Sequence, residues 1–420
     1  MAELNQKRGI GLEFLPPDAE NRKTQEPTMI TQTKGTRPEK AKPTRLASYL
    51  PENKLGLPAI PFPGRRLIGI LDGTGIGPQI IQATLRVLSS VEQAMELRFD
   101  VRQGGLIGEE AVASCGKWLP EDTMEFCADV FQLGGAILNG PGGGRYVYDL
   151  RRRFDLFCKF VPVQPAPELA GASRIVPRFL KDVDLLIVRD NTGGVYQGQW
   201  GDRATNKGRF AEHSFSYSEA EVHRLVEVAA RAAAGRRGKL HIIVKEGGVP
   251  TVTALWREVG GAVARRHGVE AAFMNVDLAA YELIQNPAHF DVIAAPNLFG
   301  DILADIAGVL VSSRGVTFSG NFDAHGHGVY QTNHGCARDL ADTDTANPAG
   351  QILSLAMLLR ESFGLDEAAA RIERSLAEVW RLGWRTADLA EPGCRILGTK
   401  AMADKVAERI LCSAEIPQLA

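Results

Sequence analysis

The stretch Asn297-Leu298-Phe299-Gly300-Asp301-Ile302-Leu303-Ala304-Asp305 follows an apolar run at 292–295, a strand pattern that leads into a helix pattern. In a helix Asp301 and Asp305 share one face, where like charges repel by roughly 0.2–0.5 kcal/mol. A divalent cation would neutralise them, and ligands that are all oxygen favour Mg²⁺ or Mn²⁺ over zinc. The alternative is a solvated acidic face. Apolar residues on both sides argue for the cation, because burying unpaired carboxylates is costly.

Size and charge restrict the class of protein. The 420 residues suffice for two domains or one large two-lobed unit, and 45% hydrophobic with 23% charged residues is typical of globular proteins. A net charge of −2 provides no basic field to recruit nucleic acid or an anionic membrane surface. We therefore expect neither partner.

Cysteine spacing and the lack of long apolar runs indicate the compartment. Six cysteines are scattered with no CxxC pair, so neither a zinc site nor a disulfide framework is expected. No apolar run approaches the ~18 residues that span a bilayer. The N-terminus lacks an apolar signal core and carries acidic residues, unlike a transit peptide. These features predict a cytoplasmic protein.

Strand and helix patterns alternate after an irregular extension, residues 1–63, which is rich in polar residues and proline. A strand at 66–71 leads through the glycine turn Asp72–Pro78 into a helix, which predicts a βα unit. The turn is not the G-x-G-x-x-G dinucleotide fingerprint. Further strands are predicted at 182–188, 239–244, 272–276 and 292–295, and helices at 218–234, 252–267, 349–363 and 366–382. This alternation predicts an α/β fold with a largely parallel sheet.

Two clusters of basic residues are candidates for anion binding. The run Arg151–Arg153 follows a glycine-rich loop at 139–144 and either grips a carboxylate or phosphate or forms a solvated face. Arg189 and Tyr196 flank a Gly-Gly turn at the end of a predicted strand, where open α/β sheets bind ligands.

Five stretches agree in order and spacing with one family. The stretches are GTGIGP (73–78), DLRRRFDLF (149–157), VRDNTGGVY (188–196), NLFGDILAD (297–305) and HGCARDLADTDTANP (334–348). Over residues 66–412 the chain resembles the β-decarboxylating dehydrogenases, which include isopropylmalate, isocitrate, homoisocitrate and tartrate dehydrogenases. The NTGGVY form is similar to the isopropylmalate and tartrate branch.

The resemblance implies an isopropylmalate dehydrogenase-like, two-domain α/β fold with a large mixed, mostly parallel sheet, which is not a Rossmann fold. Residues 64–156 with 312–420 would form a large cofactor-binding domain, and residues 157–311 a small domain with the dimer interface. It also implies NAD and Mg²⁺ or Mn²⁺ as cofactors, in the oxidative decarboxylation of a 3-substituted malate.

The resemblance assigns roles to matching positions. Asp301 and Asp305 would bind the metal with Asp277 from the second subunit of a homodimer. Arg151 and Arg189 would clamp the malate part of the substrate, and Tyr196 would protonate the enol after decarboxylation. The cofactor-binding positions implied are Gly73, Ile76, Asn297, His334, Gly335, Asp339 and Asn347, with Asp339 favouring NAD over NADP.

Several positions depart from the family pattern. A third substrate arginine falls on Val161, and Lys159 is a possible substitute. The catalytic lysine falls on Glu246 when aligned without gaps, whereas a one-residue insertion would restore Lys245, so both remain candidates. Arg338 replaces the proline usual before Asp339.

The segment that reads the third substituent of the substrate is also unusual. An acidic and two apolar residues are replaced by Gly144, Val147 and Tyr148, with Arg145 nearby. Arg145 with Tyr146 and Tyr148 predicts a polar or anionic substituent, unless Arg145 points to solvent. The alternative functions are 3-isopropylmalate dehydrogenase itself and a catalytically impaired regulatory or scaffold subunit.

Overall fold

The strands and helices of the chain alternate, as a computed structural model that describes residues 45–51 and 66–412 shows. The strands are β1 Arg66–Leu71, β2 Phe99–Gln103, β3 Ala136–Asn139, β4 Cys158–Val163, β5 Leu185–Asp190, β6 Gln199–Thr205, β7 Gly208–Ser214, β8 Lys239–Val244, β9 Glu270–Asn275, β10 Val292–Ala295, β11 Phe318–Phe322, β12 Gly328–Thr332, β13 Trp384–Arg385 and β14 Arg395–Ile396. The helices are α1 Gly77–Met95, α2 Gly108–Cys115, α3 Glu121–Gln132, α4 Tyr146–Arg153, α5 Glu219–Ala234, α6 Pro250–Arg266, α7 Val276–Gln285, α8 Asn297–Ala307, α9 Ala349–Glu361, α10 Asp366–Arg381 and α11 Thr399–Cys412.

Ten of these strands form one mixed sheet in the order β2-β1-β3-β12-β11-β4-β5-β10-β8-β9. Pairing is parallel except around β4 and β11, which are antiparallel to each other and to their outer neighbours β5 and β12. Every residue of β5 and β10 is buried, as expected for parallel strands covered by helices on both faces. The predicted α/β class and the mixed, mostly parallel sheet are confirmed.

Local sequence signals explain where helices α5 and α8 begin. Ser218 caps α5, and Ser218 and Glu221 form a capping box. Helix α8 begins at Asn297, directly after Pro296. A Cβ on Gly300 would lie 2.7 Å from Cγ of Arg189. Glycine at this position therefore lets the arginine pass against the helix.

The structure contains two features that the sequence did not predict. The hairpin β6–β7 is exposed along both strands. Residues 45–51 contain a short 3-10 helix, Leu46–Tyr49, whose Ala47 is buried, as is the following Leu50. The rest of the predicted irregular extension lies outside the described residues.

The predicted domain boundaries stay a prediction. The cut at 157 falls just before β4 and the cut at 312 falls before β11, so both lie beside the antiparallel pair in the middle of the sheet. Among the described helices, none is long and apolar enough to cross a lipid bilayer.

Candidate active site

Arg189, Tyr196 and Asp301 meet at the carboxyl ends of β5 and β10. Both Arg189 and the Tyr196 hydroxyl donate to the Asp301 carboxylate, the latter to Oδ2 at 2.9 Å. Arg189 is fully buried and also donates to Oδ1 of Asn297, with Nη2 at 2.8 Å. The amide of Asn297 in turn donates to the carbonyl of Gly193 at 2.9 Å. Asn297 thus orients the arginine.

Burial and the neighbouring charges shift the pKa values of Asp301 and Tyr196 in opposite directions. Burial alone would raise the pKa of Asp301, but Arg189 and then Lys159 outweigh it and hold this pKa below its ordinary value. Burial, and next the negative charge of Asp301, raise the pKa of Tyr196. Tyr196 is therefore a protonated phenol at neutral pH, able to donate a proton.

Three buried cations, Arg151, Lys159 and Arg189, lie around this group. Burial, followed by the like charge of Arg189, lowers the pKa of Arg151 to about 10, and its Nε has no hydrogen-bond partner within the described residues. Burial and the two arginines lower the pKa of Lys159 well below its usual value. Among the described residues, Asp301 is the one carboxylate that forms an ion pair with any of the three. Such an excess of buried positive charge suits an anionic ligand.

Val161, the position of the missing arginine, is buried on β4 opposite Ile187. Lys159 lies two residues earlier on the same strand, so both side chains lie on one face of the sheet. Lys159 therefore supplies a positive charge on the face where Val161 supplies none.

The three predicted metal carboxylates do not meet in one chain. Asp305 is half-exposed and forms an ion pair with Arg314, Nη2 to Oδ2 at 3.0 Å. Asp277, in the first turn of α7, instead accepts from Lys245. Within residues 45–51 and 66–412, no group of three or more His, Cys, Asp or Glu side chains is close enough to hold a metal ion. Asp301 and Asp305 supply only oxygen ligands, which fit a hard divalent cation.

Lys245 and Glu246 point to different partners. Nζ of Lys245 lies 2.8 Å from Oδ1 of Asp277 and lowers the pKa of that carboxyl. Glu246 forms an ion pair with Arg257 at 2.5 Å. The lysine is thus the one of the two that contacts a predicted metal ligand.

The residues predicted to read the third substituent surround Tyr196. The ring of Tyr148 lies 5.1 Å from that of Tyr196. The guanidinium of Arg145 stacks 4.3 Å above Trp200 and donates to the carbonyl of Tyr196 at 3.4 Å. Its side chain is 31% exposed, so it does not project freely into solvent. Trp200, on the exposed β6, carries no sequence signal for this contact.

The backbone conformation at Gly144 and the nearby ring of Trp118 both favour glycine at this position. The φ of +64° at Gly144 is in the left-handed region that favours glycine, and a Cβ there would overlap the ring of Trp118. No larger side chain fits at this position while Trp118 keeps its place.

A cavity of about 650 Å³, within the range of small-molecule sites, lies beside the site. Its lining includes the predicted cofactor residues Ile76, His334, Gly335 and Asn347. Ser313, Arg314 and Asp388 also line it and were missed by the sequence. Asp388 accepts from Asn347, Nδ2 to Oδ2 at 3.0 Å, but stands 41 residues further along the chain, where no local motif marks it.

Three predicted cofactor positions lie outside the cavity wall. Asn297 contacts Arg189, as described above. Gly73 packs closely against Pro141 in the glycine-rich loop, and Asp339 is exposed in a 3-10 turn between wall residues. The glycine turn still contributes to the cavity indirectly, because Ile76 donates its N–H to the carbonyl of Cys336 at 2.9 Å and thereby holds the loop that bears His334.

Comparisons with known proteins agree with one another. The family model described as isocitrate/isopropylmalate dehydrogenase matches residues 67–406. The 3-isopropylmalate dehydrogenase of Gloeobacter violaceus is 37% identical over 82% of this chain and 98% of its own, and that of Burkholderia thailandensis is 38% identical over 81% and 98%. The solved isocitrate dehydrogenase of Methylococcus capsulatus superposes with a TM-score of 0.73 at 28% identity, over 82% of this chain and 99% of its own.

Proposed function

The chain belongs to the isocitrate/isopropylmalate dehydrogenase family, and from this premise we propose that it oxidatively decarboxylates a 3-substituted malate whose third substituent is polar or anionic. It is an NAD-dependent decarboxylating dehydrogenase that acts on a CH–OH group and takes Mg²⁺ or Mn²⁺, as the family does. The substrate class is supported most strongly by the cluster of three buried basic side chains, Arg151, Lys159 and Arg189, which has Asp301 as its close carboxylate partner among the described residues.

Substrate binding follows from those three cations. The guanidinium groups of Arg151 and Arg189 offer forked donors to the carboxylates of a malate, and bound carboxylates would relieve the mutual repulsion of the cations. Lys159 supplies the positive charge towards the substrate that an arginine at the position of Val161 would have supplied. Because the cations are held in place before binding, little further ordering of side chains is needed.

Asp301 and Asp305 would hold the divalent ion together with Asp277 from a second subunit. The ion supplies Lewis-acid stabilisation of negative charge on the substrate oxygens, and the nicotinamide supplies the hydride acceptor. The homodimer that we propose brings Asp277 and Lys245 to the site as a pair, since the two are joined by an ion pair in one chain. Cofactor residues Ile76, His334, Gly335 and Asn347 would bind the adenosine side of NAD.

Proton transfers fall to two side chains. Tyr196 is protonated and hydrogen-bonded to Asp301, so it can protonate the substrate carbon after CO₂ has left. We assign removal of the hydroxyl proton to Lys245 rather than Glu246, because Lys245 contacts Asp277 whereas Glu246 pairs with Arg257.

The third substituent would be read by Arg145 and Tyr148. Arg145 is held by its stacking on Trp200, and Tyr148 by its contact with the ring of Tyr196. A guanidinium and a phenol favour a carboxylate or another polar group over an alkyl chain.

A panel assay tests the proposal. NADH formation with Mn²⁺ is measured for malates that carry hydrogen, methyl, isopropyl, hydroxyl, carboxymethyl or phosphonomethyl groups at C3, with Asp301→Asn as the inactive control. We expect the highest kcat/KM with a polar or anionic substituent. Highest kcat/KM with the isopropyl compound would instead identify 3-isopropylmalate dehydrogenase, which the names of the relatives favour.

A third reading, an impaired regulatory subunit, is opposed by the retention of Tyr196 and all three metal aspartates. No turnover with any compound, together with unchanged NAD binding, would support it. We place the protein in the cytoplasm on its composition alone.

A further inference from the structure

Residues 45–51, which we call the strap, pack across the molecule ahead of the part that the family model matches, 67–406. Ala47 and Leu50 are each 1% exposed, as deeply buried as the core itself. Such burial of a segment outside the family domain indicates a defined docking place rather than a loose extension.

One end of the strap is attached to α9. The backbone N–H of Ala47 donates to Oε2 of Glu361 at 2.9 Å, and Nη1 of Arg45 donates to the Glu361 carbonyl at 3.4 Å. Glu361 is the last residue of α9 and is 3% exposed. A buried carboxylate that accepts from a backbone N–H is costly to leave unpaired, so this contact holds the strap to the helix.

The other end is attached to α5. Nη1 of Arg231 donates at 3.5 Å to the carbonyls of Tyr49 and Leu50. The hydroxyl of Tyr49 lies over Gly235, where an added Cβ would be 2.5 Å away. The strap thus contacts both α9 and α5.

These helices cover different halves of the sheet. Helix α9 packs on β3, β11 and β12, whereas α5 packs on β5, β8 and β10. The halves join at the antiparallel pairing of β11 with β4. The two arginines proposed to bind the substrate come from different halves: Arg151 lies on α4, which follows β3, and Arg189 lies on β5.

The strap lies at the end of the sheet away from the site. Helix α5 ends just before the amino end of β8, whereas the site lies at the carboxyl ends of β5 and β10. Helix α9 begins two residues after Asn347 in the cofactor cavity, and the strap contacts its opposite end. A tether there acts at the ends of α5 and α9 that lie away from the site residues.

We propose that the strap is a conformational tether, which limits how far the two halves separate across the β4–β11 junction. Holding α5 and α9 at a fixed spacing keeps Arg151 and Arg189 close enough to share one ligand. The inference rests on contacts of the described residues and does not depend on which malate is the substrate.

Hydrogen–deuterium exchange of the full chain without ligand tests the tether. Leu50→Asp places a charge in the buried contact, and Glu361→Leu removes the acceptor with an apolar side chain of similar size, which keeps the fold even if the first variant does not. Ser48→Ala, on the exposed side of the strap, and Glu361→Gln, which keeps an acceptor, are the matched controls.

We expect the strap amides to lose protection in both test variants and the amides of β4 and β11 to exchange about tenfold faster than in the controls. The KM for the best substrate should rise several-fold with little change in kcat, because a wider cleft weakens binding first. Loss of protection in the strap with unchanged exchange in β4 and β11 would overturn the proposal, as would equal behaviour of test variants and controls.

Discussion

Lys159 and Arg189 are direct partners across the antiparallel pairing of β4 with β5, so two buried cations lie side by side on neighbouring strands. Like charges placed opposite each other destabilise a sheet. Burial and the neighbouring arginines accordingly lower the pKa of Lys159. A pair of this kind is explained by a ligand that carries the opposite charge.

Replacing Lys159 with methionine separates binding from stability. We expect the KM for substrate to rise roughly 10- to 100-fold, since a charge-assisted hydrogen bond contributes about 1.5–3 kcal/mol. The free energy of unfolding should not fall, because the change removes repulsion. Steady-state kinetics and urea unfolding measure the two effects. Lys159→Arg, which keeps the charge, is the control, and a loss of stability without a change in KM would contradict the substrate role.

Tyr196→Phe removes the proton donor but keeps the ring. The kcat should fall roughly 10²- to 10⁴-fold with little change in KM, as for loss of a general acid. Tyr148→Phe keeps its ring contact with Tyr196 and is the matched control for loss of a hydroxyl nearby. Steady-state NADH formation at saturating substrate compares their kcat values. Equal losses in the two variants would remove Tyr196 from the proton-transfer role.

Lys245→Met and Glu246→Gln should differ sharply. We expect the first to lose most activity, because Lys245 contacts Asp277, and the second to stay near wild type, because Glu246 pairs with Arg257 at a half-exposed site. The kcat with saturating NAD is the measurement. The reverse order would assign the proton acceptor to Glu246.

The proposed shared site makes a stronger prediction for mixtures. If each site combines Tyr196 of one subunit with Lys245 of the other, mixed dimers of Lys245→Met and Tyr196→Phe chains contain one intact site. Random pairing should then restore about a quarter of wild-type activity. Two inactive chains that stay inactive after refolding together would show that both residues act within one subunit.

Glu361 should make stability depend on pH. Burial raises the pKa of its carboxyl to about 7 from an ordinary 4.5, although Ala47, Arg360 and Arg45 act in the other direction and Asp366 adds to the rise. Below pH 4.5 both folded and unfolded chains hold the proton, so the stabilisation is complete. As pH rises towards 7 only the unfolded chain releases it, so the free energy of unfolding falls, by on the order of 3 kcal/mol.

Glu361→Gln should remove most of this dependence. Urea unfolding between pH 4.5 and 8 compares it with the wild type and with Glu367→Gln, which changes an exposed carboxylate on α10. A Glu361→Gln curve parallel to that of the wild type would contradict the assignment.

Much of the fold and the site could be predicted from short apolar runs in the sequence and from the polar residues that follow them. The strands at 239–244 and 292–295 match their predicted bounds because they are short apolar runs inside a covered sheet. Asp301 and Tyr196 meet because both follow strands whose carboxyl ends share one edge.

What the sequence did not reveal depends on contacts between distant residues. Asp388 reaches the cofactor cavity from 41 residues beyond Asn347, and its neighbours form no motif. The docking of Ala47 depends on Glu361, 314 residues away, in a segment whose composition is typical of irregular chain. The choice between Lys245 and Glu246 needed the position of Asp277, which no alignment without gaps provides.

The contact of Gly144 with Trp118 constrains how this enzyme could change its substrate. The resemblance to isopropylmalate dehydrogenases implies an acidic residue at that position in those enzymes, and such a side chain here would meet both a left-handed backbone and an indole ring. Trp118 would have to shrink first, a step that opens a void and gives no benefit by itself. An acidic side chain at position 144 would therefore require a second change, at Trp118, to be accommodated.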